Sequence, residues 1–270
     1  MLTENAEKYR SRLFAAGADC EAKAGGGFAG QLEKTDPEFA ERLENFMFDE
    51  VPQNDDLDDR TRNMAVLAAL IGCQGIDLFR EMVPAAFNMG VSPVEIKEIV
   101  YQAVDYCGFG RVFPFIKAAD EELKKLGIKL PLEPQATTTM ENRLEAGAQA
   151  QVDIFGPGMK EFYKSGPEET VHINRWLAAN CFGDYYTRKG LDFNEREMIT
   201  FCFIAAQGGC EPQLTAHAGG NMNLGNDKAF LIKIVSQCLP YIGYPRSLNA
   251  VTCINNAAAA KTGSMKGQGK

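Results

Sequence analysis

The chain carries an internal repeat: Gly90, Gln102, Tyr106, Gly108 and Arg111 return as Gly225, Gln237, Tyr241, Gly243 and Arg246, each 135 residues further on. A recurrence of this kind means two copies of one supersecondary unit. Between glycine and tyrosine both copies keep the i, i+3, i+4, i+7, i+8 spacing of a helix with one buried face. Ile96, Ile99, Val100, Ala103 and Val104 make it in the first copy, and Leu231, Ile234, Val235, Cys238 and Leu239 in the second. No segment alternates as a strand does. The expected fold is all-α, built from two tandem helical units.

Ser92-Pro93-Val94-Glu95 is a capping box with proline in the first turn, and Asp192 with Glu195 forms a second. Helix 2 of each pattern starts less sharply in the second copy, at Asn226, and Gly108 and Gly243 should close the two helices in a left-handed conformation. Long helices open at Leu57 and Leu191, shorter ones run from Asp77 to Met89 and from Pro212 to Leu224, and others are expected over 5–22, 37–47, 113–126, 140–154, 168–180 and 246–260. Two prolines and three threonines oppose helix over 131–139. The expected organisation is a first unit at 1–130, this linker, a second unit at 140–260, and a flexible Gly/Ser/Lys tail at 261–270.

With 28 basic and 36 acidic residues the net charge is −8, and no basic stripe offers a nucleic-acid surface. The first residues lack the apolar stretch of a signal peptide, and no run approaches the ~20 apolar residues of a membrane span. Eight cysteines are present without any Cys-x-x-Cys, most of them inside apolar runs. They read as reduced thiols of a cytoplasmic protein.

The chemistry concentrates in Cys210-Glu211-Pro212-Gln213-Leu214-Thr215-Ala216-His217. Pro212 suits a first helical turn, so Cys210 sits at a helix N-terminus, where free N–H groups favour a thiolate. Gln213 and His217 are four apart on one face, with Cys210 above them. Glu197, on a neighbouring helix, is the carboxylate to orient His217. The first copy has Met82 where the second has His217, and Asn63 where it has Glu197. A packed histidine and a dipole-compensating glutamate are the bland alternatives. Tyr241 and Arg246 offer a phenol and a guanidinium to an anionic substrate, although their repetition as Tyr106 and Arg111 also suits a structural role. His172 has no companion ligands, so neither a metal nor a cofactor is expected.

Several segments together resemble the carboxymuconolactone decarboxylase family. They include Gly183 to Asp192, Glu195 to Ile199, Gln213 to His217 and Pro240 to Ala250 in the second copy, with Asp59 to Arg62, Gly90 to Glu98 and Tyr106 to Arg111 in the first. The resemblance implies the alkyl hydroperoxidase D-like helical fold, whose units assemble into rings of six, so a chain of two units would form a homo-trimer. Hydroperoxidase-like relatives use Cys-x-x-Cys-x-x-x-His with an upstream glutamate. Cys210, His217 and Glu197 match, but Gln213 stands in place of the second cysteine, removing the disulfide partner.

A cofactor-independent lyase then needs least. Decarboxylation of a small lactone or unsaturated acid would use His217 as proton donor, Glu197 to orient it, Gln213 or helix N–H groups for the oxyanion, and Cys210 as lining. The same apparatus suits an isomerase. The alternatives are a peroxiredoxin-type thiol peroxidase with Cys210 as nucleophile, and a non-catalytic ring-forming binding protein.

Overall fold

In a computed structural model, residues 1–15 and 28–267 are described, and among them every regular element is a helix. The first half holds α1 (Glu4–Leu13), α2 (Phe28–Thr35), α3 (Pro37–Asn45), α4 (Val51–Gln53), α5 (Asp59–Gly72), α6 (Ile76–Asn88), α7 (Pro93–Cys107) and α8 (Phe109–Lys125). The second holds α9 (Arg143–Phe155), α10 (Val171–Trp176), α11 (Phe193–Gln207), α12 (Glu211–Leu224), α13 (Lys228–Ile242) and α14 (Tyr244–Gly267). No described helix is long and apolar enough to cross a membrane.

The halves correspond helix by helix, α5 to α11, α6 to α12, α7 to α13 and α8 to α14. Each also carries a π-helical turn at matching places, Phe46–Glu50 and Leu177–Tyr186. Asp58 and Asp192 cap α5 and α11 by accepting from the backbone three residues on. The cap of α13 is Asp227, which accepts from Phe230 N, rather than the neighbouring Asn226. Gly108 and Gly243 do have positive φ, 82° and 78°, but with ψ of 144° and 164° they turn the chain straight into the next helix instead of making a left-handed closure. The expected helix over 5–22 ends at Leu13, and its continuation from 16 lies outside the described residues.

The chain between α8 and α9 is without regular structure, and its prolines and threonines leave few N–H groups free for a helical ladder. The tail read from composition is different: α14 continues through it to Gly267, and 268–270 lie outside the described residues. A run of four alanines, Ala257 to Ala260, propagates the helix that the glycines further on would weaken.

The two units do not fold around separate cores. One apolar cluster runs from Ala6 through α5, α6, α7 and α8 to Met198, Phe203, Ile234 and Cys238. At its centre α5 and α11 are buried on all sides, from Arg62 to Gly72 and from Arg196 to Ala206. Their close crossing depends on Gly72, where a Cβ would stand 2.6 Å from the carbonyl oxygen of Phe203. The repeated glutamines clamp the halves reciprocally: Arg62 Nε donates to Gln237 Oε1 at 2.9 Å, and Arg196 Nη1 donates to Gln102 Oε1 at 2.7 Å. Both arginines are buried and balanced by acids, Arg62 by Asp55 and Asp59, Arg196 by Glu98. Removing one partner would strand a buried charge, a loss of about 3–5 kcal/mol.

Candidate active site

Glu197, on the second turn of α11, is wholly buried, and His217, on the second turn of α12, keeps 12 % of its side chain exposed. His217 Nδ1 lies 2.9 Å from Glu197 Oε2 and 3.1 Å from Oε1. Asn221, one turn beyond His217, donates its amide to the backbone carbonyls of both Glu197 and His217 at 2.9 Å, which ties α12 to α11 at this level. Gly220 makes room: a Cβ there would stand 2.7 Å from both Glu197 Oε2 and Phe155 Cε1.

The bonds around Glu197 have one direction. The Tyr186 hydroxyl donates to Glu197 Oε1 at 2.7 Å. Having spent its proton, it must accept at its other contacts, from Tyr106 Oη at 2.9 Å and Thr200 Oγ1 at 2.8 Å. Thr200 in turn accepts from Gln102 Nε2, and Tyr106 from the Cys181 thiol at 3.6 Å. Every donor therefore points toward one carboxylate. An ionised carboxylate only accepts, so His217 donates Nδ1–H to it and holds Nε2 as the ring nitrogen free to exchange a proton. Burial drives the Tyr106 and Tyr186 phenols and the Cys181 thiol well above their ordinary ionisation ranges, and the neighbouring Glu197 charge adds to this. These three groups stay protonated donors at neutral pH.

Aromatic edges enclose the imidazole. The rings of Tyr106 and Phe155 meet His217 edge-on, with centroids 5.4 Å and 5.5 Å away. Their walls lower the local dielectric and strengthen the imidazole–carboxylate interaction. Tyr106 comes from α7 of the first half, Phe155 from α9, Tyr186 and Cys181 from the π-helical turn before α11, and Glu197 and His217 from the second repeat. The cluster is thus assembled across the two units.

Cys210 is the N-cap residue of α12, followed by Pro212 in the first turn. Its sulfur accepts from Gln207 Nε2 at 3.3 Å, and it packs on the apolar cluster of α12, α13 and α14. Among the described residues no hydrogen bond or ring contact joins it to His217 or Glu197. Gln213 is exposed. Tyr241 lies elsewhere: it is buried beside Tyr9, Cys238 and Arg62 of the other half's corner, where burial raises its phenol's ionisation. Arg246 stands against Gly208, its Nε 3.3 Å from where a Cβ would begin. The contact expected from Tyr241 is made by its repeat partner Tyr106. The reason is a crossing: each repeated tyrosine projects from its own half into the other.

In the first half the equivalent corner holds Met82, 1 % exposed, and Asn63, whose amide is spent on the Asp59 carbonyl at 2.8 Å. That corner has apolar filling and no acid–base pair. Sequence reasoning missed Tyr106, Tyr186, Cys181 and Phe155 as parts of the cluster. The available signal was the tyrosine pair Tyr185-Tyr186 within the family-like segment, and the repeat itself for Tyr106. His172 stacks edge-on against Trp176 instead, and no group of three or more His, Cys, Asp or Glu among the described residues could hold a metal ion. A separate cleft of about 360 Å³ lies under 130–135 and is lined by Lys97, Tyr101, Asp120 and Arg188.

No curated protein matches the sequence. In fold the chain is similar to the crystal structure of a protein of Burkholderia xenovorans LB400 named as a gamma-carboxymuconolactone decarboxylase subunit. The TM-score is 0.52 at 18 % identity, covering 95 % of this chain and 98 % of that one. The sequence profile of the carboxymuconolactone decarboxylase family matches twice, over 37–121 and 172–255, one match to each repeat. The two matches span well over half of the chain, which belongs to the carboxymuconolactone decarboxylase family.

Proposed function

We propose that the chain is a carboxymuconolactone decarboxylase-like lyase that moves a proton on a small lactone or unsaturated acid without a cofactor. The observation that carries this reading is the one-directional donor network ending on Glu197, with His217 bonded at Nδ1 and its Nε2 edge left for a guest molecule. When the substrate carboxylate leaves as carbon dioxide, its electron pair passes into the conjugated carbonyl and forms an enolate. His217, protonated on both nitrogens, delivers the Nε2 proton to carbon, and Glu197 holds the imidazolium charge meanwhile. Free N–H groups at the start of α12, with Gln213, face the developing oxyanion. An isomerisation would use the same proton transfer with no loss of carbon dioxide.

A panel of lactones and unsaturated acids, assayed for substrate loss and carbon dioxide release, tests the proposal. His217→Ala is expected to lower turnover by about 10²–10⁴-fold with the helical circular dichroism unchanged. Full activity in that variant would sink the assignment.

One observation favours a second reading. The amide of Gln207 donates to Cys210 Sγ at a helix start, an arrangement that stabilises a thiolate, so a thiol peroxidase with Cys210 as nucleophile and an external resolving thiol is the alternative. Brief peroxide treatment followed by intact-mass measurement separates the two, since a fast sulfenate at Cys210 belongs only to the peroxidase. All seven cysteines among the described residues are unpaired, in keeping with a reducing, cytoplasmic setting. We further propose that the chain self-associates as a homo-trimer, presenting six units in a ring.

A further inference from the structure

Ten large apolar side chains stand exposed among the described residues, and four of them obey the internal repeat. Phe109 and Tyr244 are 58 % and 61 % exposed, and Phe113 and Leu248 are 50 % and 63 % exposed, each pair 135 residues apart. They occupy the first and fifth positions of α8 and α14, directly after the positive-φ glycines. On the inner faces of the same helices the matched positions, such as Val112 with Ser247 and Phe115 with Ala250, are buried, and packing explains them. No packing within the chain explains the outer four.

The two helix starts converge. Arg111 donates to Gln207 Oε1 at 3.4 Å, and Arg246 Nε approaches within 3.3 Å of the Cβ position of Gly208, so both flank the end of α11. Gln207 also donates to Cys210 Sγ, placing the start of α12 at the same corner. Composition changes here too. In a chain with 64 charged residues, neither Gly108 to Ile116 nor Gly243 to Ile254 contains a single Lys, Asp or Glu, while each keeps one arginine. Exposed aromatic and aliphatic side chains beside arginine, with lysine and acids depleted, is the composition of a protein–protein contact centre.

The repeat identifies the occupant. A surface present once in each half, gathered by the internal pseudo-symmetry into one corner, is self-complementary to the same corner of another copy, as an isologous interface requires. The contacts between halves within the chain run through α5, α7, α11 and α13 and leave this corner outside. We propose that the corner formed by Phe109, Phe113, Tyr244 and Leu248 is the surface on which a second copy of this chain docks, and that docking closes over the start of α12 around Cys210. The inference rests on the self-association reading above and is independent of the reaction catalysed.

Light scattering and sedimentation of the full chain at micromolar concentration test it, with F109S/F113S, Y244S/L248S and the fourfold combination. Because the four side chains are exposed, each variant should keep the wild-type circular dichroism and melting temperature. Each double variant is expected to weaken association by about a hundredfold. The fourfold variant is expected to be monomeric, and its Cys210 to react with iodoacetamide several times faster than in wild type. An assembled fourfold variant of wild-type mass would overturn the assigned surface. A wild type that is itself monomeric would overturn self-association and, with it, this inference.

Discussion

Asp105 sits one residue before Tyr106, with its carboxyl pressed into the protein beside the Cys181 thiol. Its Oδ2 is buried without a hydrogen-bond partner. The thiol lies close enough to interact with the carboxyl, but no bond closes on that oxygen. Desolvation, with a smaller contribution from the nearby Asp184 charge, pushes the carboxyl up to about 8. Tyr185 and Tyr106 face the same spot as neutral phenols, and the Asp184 carboxylate is itself paired with Arg143. The folded chain therefore binds a proton that the unfolded chain releases near 4, so between those limits stability falls as pH rises. At roughly 1.4 kcal/mol per pH unit, the drop from pH 5 to pH 8 is about 4 kcal/mol as an upper limit, and about 2 kcal/mol after partial water access is allowed for. Asp105→Asn cannot titrate and should lose that part of the slope. Urea unfolding of wild type and variant at pH 5, 6.5 and 8 measures the difference. The variant should be close to wild type at pH 5 and more stable by about 2–4 kcal/mol at pH 8. Parallel pH profiles would refute the reasoning, since they would mean that Asp105 ionises freely in the folded state.

Three further outcomes follow from the geometry. Gly220→Ala drives a Cβ into Glu197 Oε2 and Phe155 Cε1, each 2.7 Å away, and should cut turnover by tenfold or more at a stability cost of about 1–3 kcal/mol, read from steady-state kinetics beside a thermal melt. Tyr186→Phe removes a donor to the carboxylate and leaves Thr200 and Tyr106 without their acceptor. A loss of about 1.5–3 kcal/mol is expected in denaturant titration, with a lower kcat and little change in KM. Gly183→Ala would set a Cβ 2.1 Å from the Arg143 carbonyl where α9 meets the π-helical turn. Because backbone cannot yield as a side-chain tip can, the melting temperature should fall by several degrees or the chain should fail to accumulate. A Gly183→Ala protein as stable as wild type would mean that α9 does not pack there.

The helices that build the scaffold were largely legible, because caps and apolar spacing are local. Ser92, Asp192 and the period of α7 and α13 act over a few residues, and their structural outcomes agree with that local reading. The Glu197–His217 pairing was also within reach, since both residues lie on strongly patterned neighbouring helices and face one another. The π-helical turns at 46–50 and 177–186 were not legible, as they follow from how α3 and α10 run on into the next segment rather than from any periodicity. Cys210, read as sharing a face with His217, instead packs at the helix cap against Gln207. Spacing along α12 fixed its height on the helix, while the preceding Gly208-Gly209 turn set where its side chain went.

The tyrosines separate the two kinds of information most clearly. Sequence alone determined that Tyr106 and Tyr241 are equivalent, that the chain is two copies of one all-α unit, and that only the second copy retains an imidazole and a carboxylate at the corresponding positions. Only the tertiary structure decided which tyrosine meets that imidazole. Because α5 and α11 cross at Gly72, with the glutamine–arginine clamps on either side, each half delivers its tyrosine across the pseudo-two-fold interface into the other. Helical periodicity reports which face of a helix is buried, and carries no information about which of two similar partners will bury it.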